Sequence, residues 1–178
     1  MMNRIVPTVA AFLIAMLAIG TVLTPSAYAL TSVIRDPAGD VANGNPDFDI
    51  IKAGITETGK LRMVVVGEAG GTKPSGLGQA DKVYAYVFVT DVGIVAVTSH
   101  RAEDSNQVGS DLVWHSHRVQ LDGSGCVSAI EDFGKLRLVD NYLNVANTGA
   151  TSIDQVLTAR LTIDDGKVCV SRVWDTAT

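Results

Sequence analysis

A chain of 178 residues in which 47% are hydrophobic, 19% are charged and the formal net charge is −5 is too apolar to be disordered and too acidic to seek a nucleic-acid backbone. Its length allows one ordinary domain with a sizeable buried core.

Residues 1–29 read as a secretory signal peptide that stands outside the fold. Arg4 gives a positive start, Val9 to Leu23 is a weakly polar to apolar run, and Thr24-Pro25-Ser26-Ala27-Tyr28-Ala29 ends it with a helix breaker and an A-x-A cleavage pattern. Cleavage after Ala29 leaves 149 residues, 30–178, as a single domain in which 13 Lys and Arg face 19 Asp and Glu, a net charge of −6. The competing reading is an uncleaved anchor over Ile5 to Leu23, 19 residues long and near the bilayer minimum. That stretch, residues 5–23, is the chain's one expected route to a membrane. No cysteine follows the apolar run to carry a lipid.

Thr31 to Arg35 forms a short β-type run that Pro37 stops. Residues 36–49 then hold Asp36, Asp40, Asp47 and Asp49 together with Asn43 and Asn45, and almost no hydrophobic side chains. Hard cations such as Ca²⁺ take about six to eight oxygen ligands, which carboxylates, amide oxygens and tightly turned backbone carbonyls supply. Asp47 and Asp49, two apart at the start of a strand, are expected to point the same way, and Gly39 and Gly44 let the backbone fold Asp36 and Asp40 toward them. Four carboxylates held that close repel one another unless a cation neutralises them. The alternative is a set of solvated turns in which Asp-Pro, Asn-Gly and Asn-Pro cap their own backbone; no EF-hand spacing is present.

Ile51, Ala53 and Ile55 alternate with polar or small residues, Thr58-Gly59 turns the chain, and Leu61 to Glu68 returns as the second strand of a hairpin. Residues 69–80, rich in glycine and broken by Pro74, read as a long loop. Gly67 to Lys73 is no phosphate cradle, because Thr72 separates Gly71 from Lys73 where a P-loop needs Gly-Lys-Ser/Thr. Val83 to Thr90 is apolar on both faces and predicts a central strand. Ile94 to Ser99 follows across Asp91-Val92-Gly93, then a polar loop from Arg101 to Asp111. Further strands are predicted at Leu112 to Leu121, Cys126 to Ile130, Lys135 to Val139, Tyr142 to Ala146, Val156 to Ile163 and Lys167 to Trp174. About ten or eleven short strands, with no fixed repeat period and no amphipathic helix after the signal, predict an all-β, two-sheet antiparallel β-sandwich. Cys126 and Cys169, in a chain bound for an oxidising compartment, predict one disulfide. Closing those 44 residues is worth about 4 kcal/mol on the chain-entropy account.

Asp36-Pro37-Ala38-Gly39-Asp40, followed by Asp49-Ile50-Ile51 opening a strand, resembles the first loop of secreted β-sandwich modules related to family 9 carbohydrate-binding modules and glucodextranase C-terminal-like domains. The likeness covers about residues 31–66. It implies a structural calcium held by Asp36, Asp40 and Asp49, with Asp47 beside them. It does not carry over sugar binding, whose aromatic residues find no counterpart here.

Two further constellations are candidates for chemistry. His115 and His117, at i and i+2 of one strand, share a face, and with His100 could supply imidazoles to Zn²⁺ or Cu²⁺. If Ile94 to His100 pairs with Leu112 to Leu121, however, His100 falls near Leu112, about 10 Å from His115. Convergence then requires another pairing or an acid from elsewhere; otherwise these are ordinary, partly buried histidines. Tyr84, Tyr86, Trp114, Tyr142 and Trp174 are either core or a platform for stacking a ligand. With no Gly-x-Ser-x-Gly and no His-Glu-x-x-His, the sequence predicts a non-catalytic, calcium-stabilised binding module for a glycan or a surface protein. A secreted copper or zinc protein and a cell-envelope assembly subunit are the alternatives.

Overall fold

The computed structural model describes residues 30–72, 82–101 and 112–178. The signal segment and the alternative anchor therefore lie outside the described residues, as do most of the two loops predicted at 69–80 and 101–111. Eleven strands are seen: β1 (Leu30–Arg35), β2 (Ile50–Thr56), β3 (Leu61–Val65), β4 (Lys82–Thr90), β5 (Gly93–Arg101), β6 (Leu112–Leu121), β7 (Val127–Asp132), β8 (Lys135–Val139), β9 (Tyr142–Ala146), β10 (Ile153–Asp164) and β11 (Lys167–Ala177). The only helical element among the described residues is a 3₁₀ turn at Pro46–Phe48. All pairings are antiparallel, and they build a five-stranded sheet, β1-β2-β3-β9-β8, and a six-stranded sheet, β11-β10-β4-β5-β6-β7. The protein is an all-β sandwich.

The shared core follows from strand alternation. Leu61, Met63 and Val65 of β3 and Leu143 and Val145 of β9 are fully buried from one sheet, and Tyr86, Phe88, Val95, Val97 and Val156 from the other. β2 departs from strict alternation. Its register against β3 shifts between Ile50 and Lys52, so Ile50, Ala53 and Ile55 face the core while Ile51 is only half-buried. β4 is central, between β10 and β5, as its two apolar faces require: Tyr86 and Phe88 join the core, and Val83 and Ala85 pack with Leu161 on the other face.

The disulfide closes the six-stranded sheet upon itself. Its two edge strands are β7 and β11, yet Cys126, just before β7, faces Cys169 of β11 across an isolated antiparallel bridge and is bonded to it. Beside it the Val170 N–H donates to the Gly125 carbonyl at 3.2 Å. With the five-stranded sheet occupying one face, the bend can close only over the other, which carries Val83, Ala85 and Leu161. Two open edges, each with unpaired backbone groups, thereby partly satisfy each other.

Candidate acidic metal centre

The acidic loop is tied down at several points. The Asp36 N–H donates to the Ile51 carbonyl at 3.3 Å, and the Ala42 N–H donates to the Trp174 carbonyl at 2.7 Å, so the loop bridges β2 and β11. Gly39, at φ 94°, takes a conformation that side-chain-bearing residues avoid, and its N–H donates to Asp49 Oδ2 at 2.7 Å. Asp49 begins the descent into β2 and is buried.

This brings Asp36, Asp40 and Asp175 together, with one carboxylate oxygen from each lying within 4.8 Å of the others. Asp49 stands next to them, and its charge raises the proton affinity of Asp36. Among the described residues this is the one set of three metal-ligating side chains so placed. Burial, and then the charges of Asp175 and Asp40, push the Asp36 carboxyl up to about 6. Burial raises Asp49 as well, against the lowering effect of the Gly39 N–H. Asp36 Oδ2 and Asp49 Oδ1 are buried oxygens without a hydrogen-bond partner. Such atoms forfeit solvation unless something with positive charge meets them.

Asp175 was not among the residues expected here. Opposite Asp175 and Val173 of β11 stand Thr158 and Ala159, consecutive residues of β10, so Trp174 is the extra residue of a bulge. Trp174 and Asp175 are both buried as a result, where strict alternation would have turned one of them out. Both Asp175 oxygens accept backbone N–H groups, Ile50 at 2.6 Å and Thr176 at 2.8 Å, which links β11 to β2 across the two sheets.

Asp47 is a correction. Its residue lies in the 3₁₀ turn capped by Asn45, whose side chain accepts the Asp47 N–H at 3.0 Å. A 3₁₀ turn advances about 120° per residue, so positions two apart do not share a direction as they would in a strand. Asp47 Oδ1 accepts the Glu68 N–H at 2.8 Å and Oδ2 accepts the Thr72 hydroxyl at 2.6 Å. Its carbonyl accepts the Tyr86 hydroxyl at 2.8 Å. Asp47 fastens the chain after β3 instead of facing the acidic corner.

The aromatic platform is likewise corrected. Tyr86, Trp114 and Trp174 are buried and Tyr84 is half-buried; Tyr84, Tyr86 and Trp174 pack around Phe48 and Trp114 packs against Tyr86, with ring centroids 4.6 to 5.6 Å apart. The Trp114 indole N–H donates to the Gly70 carbonyl at 3.0 Å. These rings are the core beneath the acidic corner. Tyr142 is exposed, with the Arg62 guanidinium 4.5 Å above its ring.

His115 and His117 share the face of β6 opposite Trp114, their ring centroids 4.4 Å apart. The register sets His115 against Thr98 and His100 against Val113, so β5 and β6 pair as predicted but the His100 backbone lies two positions along from His115, one position nearer than the expected placement by Leu112. The His100 side chain lies outside the described residues. Cys126 and Cys169 form the predicted disulfide. That bridge is compatible with an extracytoplasmic setting, and among the described residues no helix is long and apolar enough to cross a membrane. Comparison with protein-family models, with curated proteins and with solved structures finds no match to this chain.

Proposed function

We propose that the protein is a secreted, non-catalytic β-sandwich module, stabilised by calcium, that recognises a glycan or a surface protein. The observation that carries the calcium half is the convergence of Asp36, Asp40 and Asp175 within 4.8 Å, with the unpartnered Asp36 and Asp49 oxygens beside them. Calcium–oxygen bonds run about 2.3–2.6 Å, so two oxygens on one ion stand at most about 5 Å apart, a separation these carboxylates already meet. The donor set is all oxygen, which favours a hard cation over Zn²⁺ or Cu²⁺. Asp36, Asp40 and Asp175 would be direct ligands and Asp49 the buried fourth charge. An ion there would join the acidic loop and β2 of one sheet to β11 of the other.

The recognition half rests on the secreted, single-domain, all-β reading and on the absence of Gly-x-Ser-x-Gly and His-Glu-x-x-His from the sequence; the resemblance of residues 31–66 bears on the calcium alone. Thermal unfolding with calcium and with EDTA tests the first half. Saturating the site at about one hundred times its Kd adds about 2.7 kcal/mol, and an unfolding midpoint unmoved by EDTA would defeat it. Retardation in gels cast with soluble polysaccharides, calcium present, tests the second; migration unaltered by every polysaccharide removes the glycan reading.

A further inference from the structure

The five-stranded sheet turns one face to the shared core and the other outward, away from the six-stranded sheet. Its strands hold Arg35, Lys52, Arg62, Lys135 and Arg137, five of the 13 Lys and Arg of residues 30–178, and none of the 19 Asp and Glu. Each of the five adjoins in sequence a residue packed in the core, such as Ile34, Ala53, Met63 or Leu136, so alternation turns all of them to the outer face. Register sets two rows across that face: Arg35, Lys52 and Val64 lead to Tyr142 and Val139, and Val33, Gly54 and Arg62 lead to Asn144 and Arg137. Strands about 4.8 Å apart put Arg62 and Arg137 about 10 Å from each other, on either side of Asn144. The Arg62 guanidinium lies over the exposed Tyr142 ring, and its Nε has no hydrogen-bond partner. Arg35 and Lys52 stand directly opposite each other, a pairing that like charges disfavour. None of the five is in an ion pair among the described residues; those of Arg118 with Glu131 and Lys167 with Asp122 belong to the other sheet. The acids nearest along the chain stand at the ends of the sheet, Glu57 and Asp140 in hairpin turns and Asp36 and Asp49 at the acidic corner.

We propose that this outer face binds an acidic polysaccharide, a chain of sugars bearing carboxylate or sulfate groups, with Arg62 and Arg137 as its principal anion contacts. The inference rests on the glycan half of the reading above, for which it names a site and a ligand class. Guanidinium groups take carboxylate and sulfate through paired N–H donors, and Asn144 between them offers sugar hydroxyls both a donor and an acceptor. Arg35, Lys52 and Lys135 extend the positive field across the sheet. The strand spacing is close to the length of one pyranose, so cations two strands apart match anions on alternate sugars. A membrane is a poorer partner: the outward apolar residues of the two rows are short valines, with no Trp, Phe or Leu to enter a bilayer. Nucleic acid is poorer too, because Arg62 covers the Tyr142 ring on which a base would stack. The net charge of −6 over residues 30–178 also repels a polymer as dense in charge as DNA, whereas an acidic polysaccharide spaces its anions more widely.

The test is calorimetric titration of the full chain with a hyaluronate oligosaccharide, a heparin oligosaccharide and a neutral dextran oligosaccharide, each in calcium and in EDTA. The two acidic sugars should bind and the neutral one should not, with affinity falling about tenfold or more between about 50 and 200 mM salt. Arg62→Gln with Arg137→Gln should weaken binding about tenfold or more, through the loss of charge-assisted hydrogen bonds. Lys167→Gln with Arg172→Gln, an equal loss of charge on the other sheet, should leave it nearly unchanged. Should Arg62→Gln unsettle the fold beside Tyr142, Lys135→Gln with Arg137→Gln, at two exposed positions of the edge strand β8, carries the test alone. Equal affinity for the neutral sugar, or equal affinity in the arginine variants, overturns this site and ligand class while leaving glycan recognition standing; binding of no sugar at all overturns both. Tighter binding of duplex DNA or of phosphatidylglycerol vesicles than of either acidic sugar overturns the choice of ligand, and salt-sensitive oligomers of the free chain in sedimentation would assign the face to the acids of a second copy instead.

Discussion

Replacing Asp36 with Asn should strengthen the ion-free protein and remove its response to calcium. The native fold holds the Asp36 carboxyl at about 6, above its ordinary 3.8, through burial and the neighbouring Asp175 and Asp40 charges. The sign follows from linkage: a carboxyl that binds its proton more tightly when folded favours the native state while protonated. That stability is present below about 3.8 and is lost as pH rises through about 6. At pH 7.5 the native protein therefore carries the full penalty of an ionised Asp36. At about 1.4 kcal/mol for each tenfold in proton affinity the penalty is about 3 kcal/mol, and solvent screening at this half-buried position takes it to about 1–2 kcal/mol. Asn removes the charge at nearly constant volume. Urea unfolding at pH 7.5 in EDTA should place Asp36→Asn about 1–2 kcal/mol above the parent, whereas added calcium should raise the parent and leave the variant where it was. A variant less stable than the parent in EDTA, and still stabilised by calcium, would refute the idea that the acids are held together against their own repulsion for the sake of an ion.

The same linkage predicts opposite pH trends with and without the ion. Ion-free protein should lose stability between about pH 4 and 6.5, while calcium affinity should weaken as pH falls below about 6, because protons and Ca²⁺ compete for Asp36; unfolding curves and calorimetry across that range check both. Replacing Cys126 and Cys169 by Ser frees a loop of sequence separation 43 and should cost about 4 kcal/mol in urea unfolding. Since the bridge also joins the two edges of the six-stranded sheet, amide exchange should quicken first in β7 and β11, and uniform exchange would count against that closure. Gly67→Ala should cost more than about 2 kcal/mol, because a Cβ there would meet Asp47 Oδ1, the Asp47 backbone nitrogen and the Pro46 carbonyl carbon; a loss below about 0.5 kcal/mol would show that the Asp47 anchor yields.

Strand positions were legible because their chemistry is local. Asp140-Asn141 and Asp164-Asp165-Gly166 turn the chain where predicted, and Asp140 and Asp165 adopt positive φ there. The two apolar faces of Val83 to Thr90 correctly announced a central strand. The acidic corner was legible only in part, since it depends on two features that break strict alternation. A 3₁₀ turn at Pro46–Phe48 carries Asp47 away from Asp49. The β11 bulge at Trp174 brings Asp175 inward, more than 120 residues along the chain from Asp49. Asn45-Pro46 does offer a local signal for the first, an Asx cap followed by proline at the first helical position. Nothing local marks the second, because Val-Trp-Asp-Thr-Ala reads as a strand running out into polar residues.

That distance along the chain bears on why the fold would hold four acids together at all. Asp36 and Asp40 could stand as separate solvated turns, each in water, at little cost. Asp175 cannot take that option: its two oxygens are occupied by the backbone N–H groups of Ile50 and Thr176, and withdrawing it would break the one carboxylate link between β2 and β11. With Asp175 fixed by the sheets and Asp49 buried at the head of β2, the acidic loop has a choice only over Asp36 and Asp40. The Ala42 N–H bonded to the Trp174 carbonyl and the Gly39 N–H bonded to Asp49 close the loop over the fixed pair, raising the repulsion that an extended loop would have avoided. A loop tied down in the unfavourable direction for its own charges is the arrangement expected of a site whose missing term is a cation.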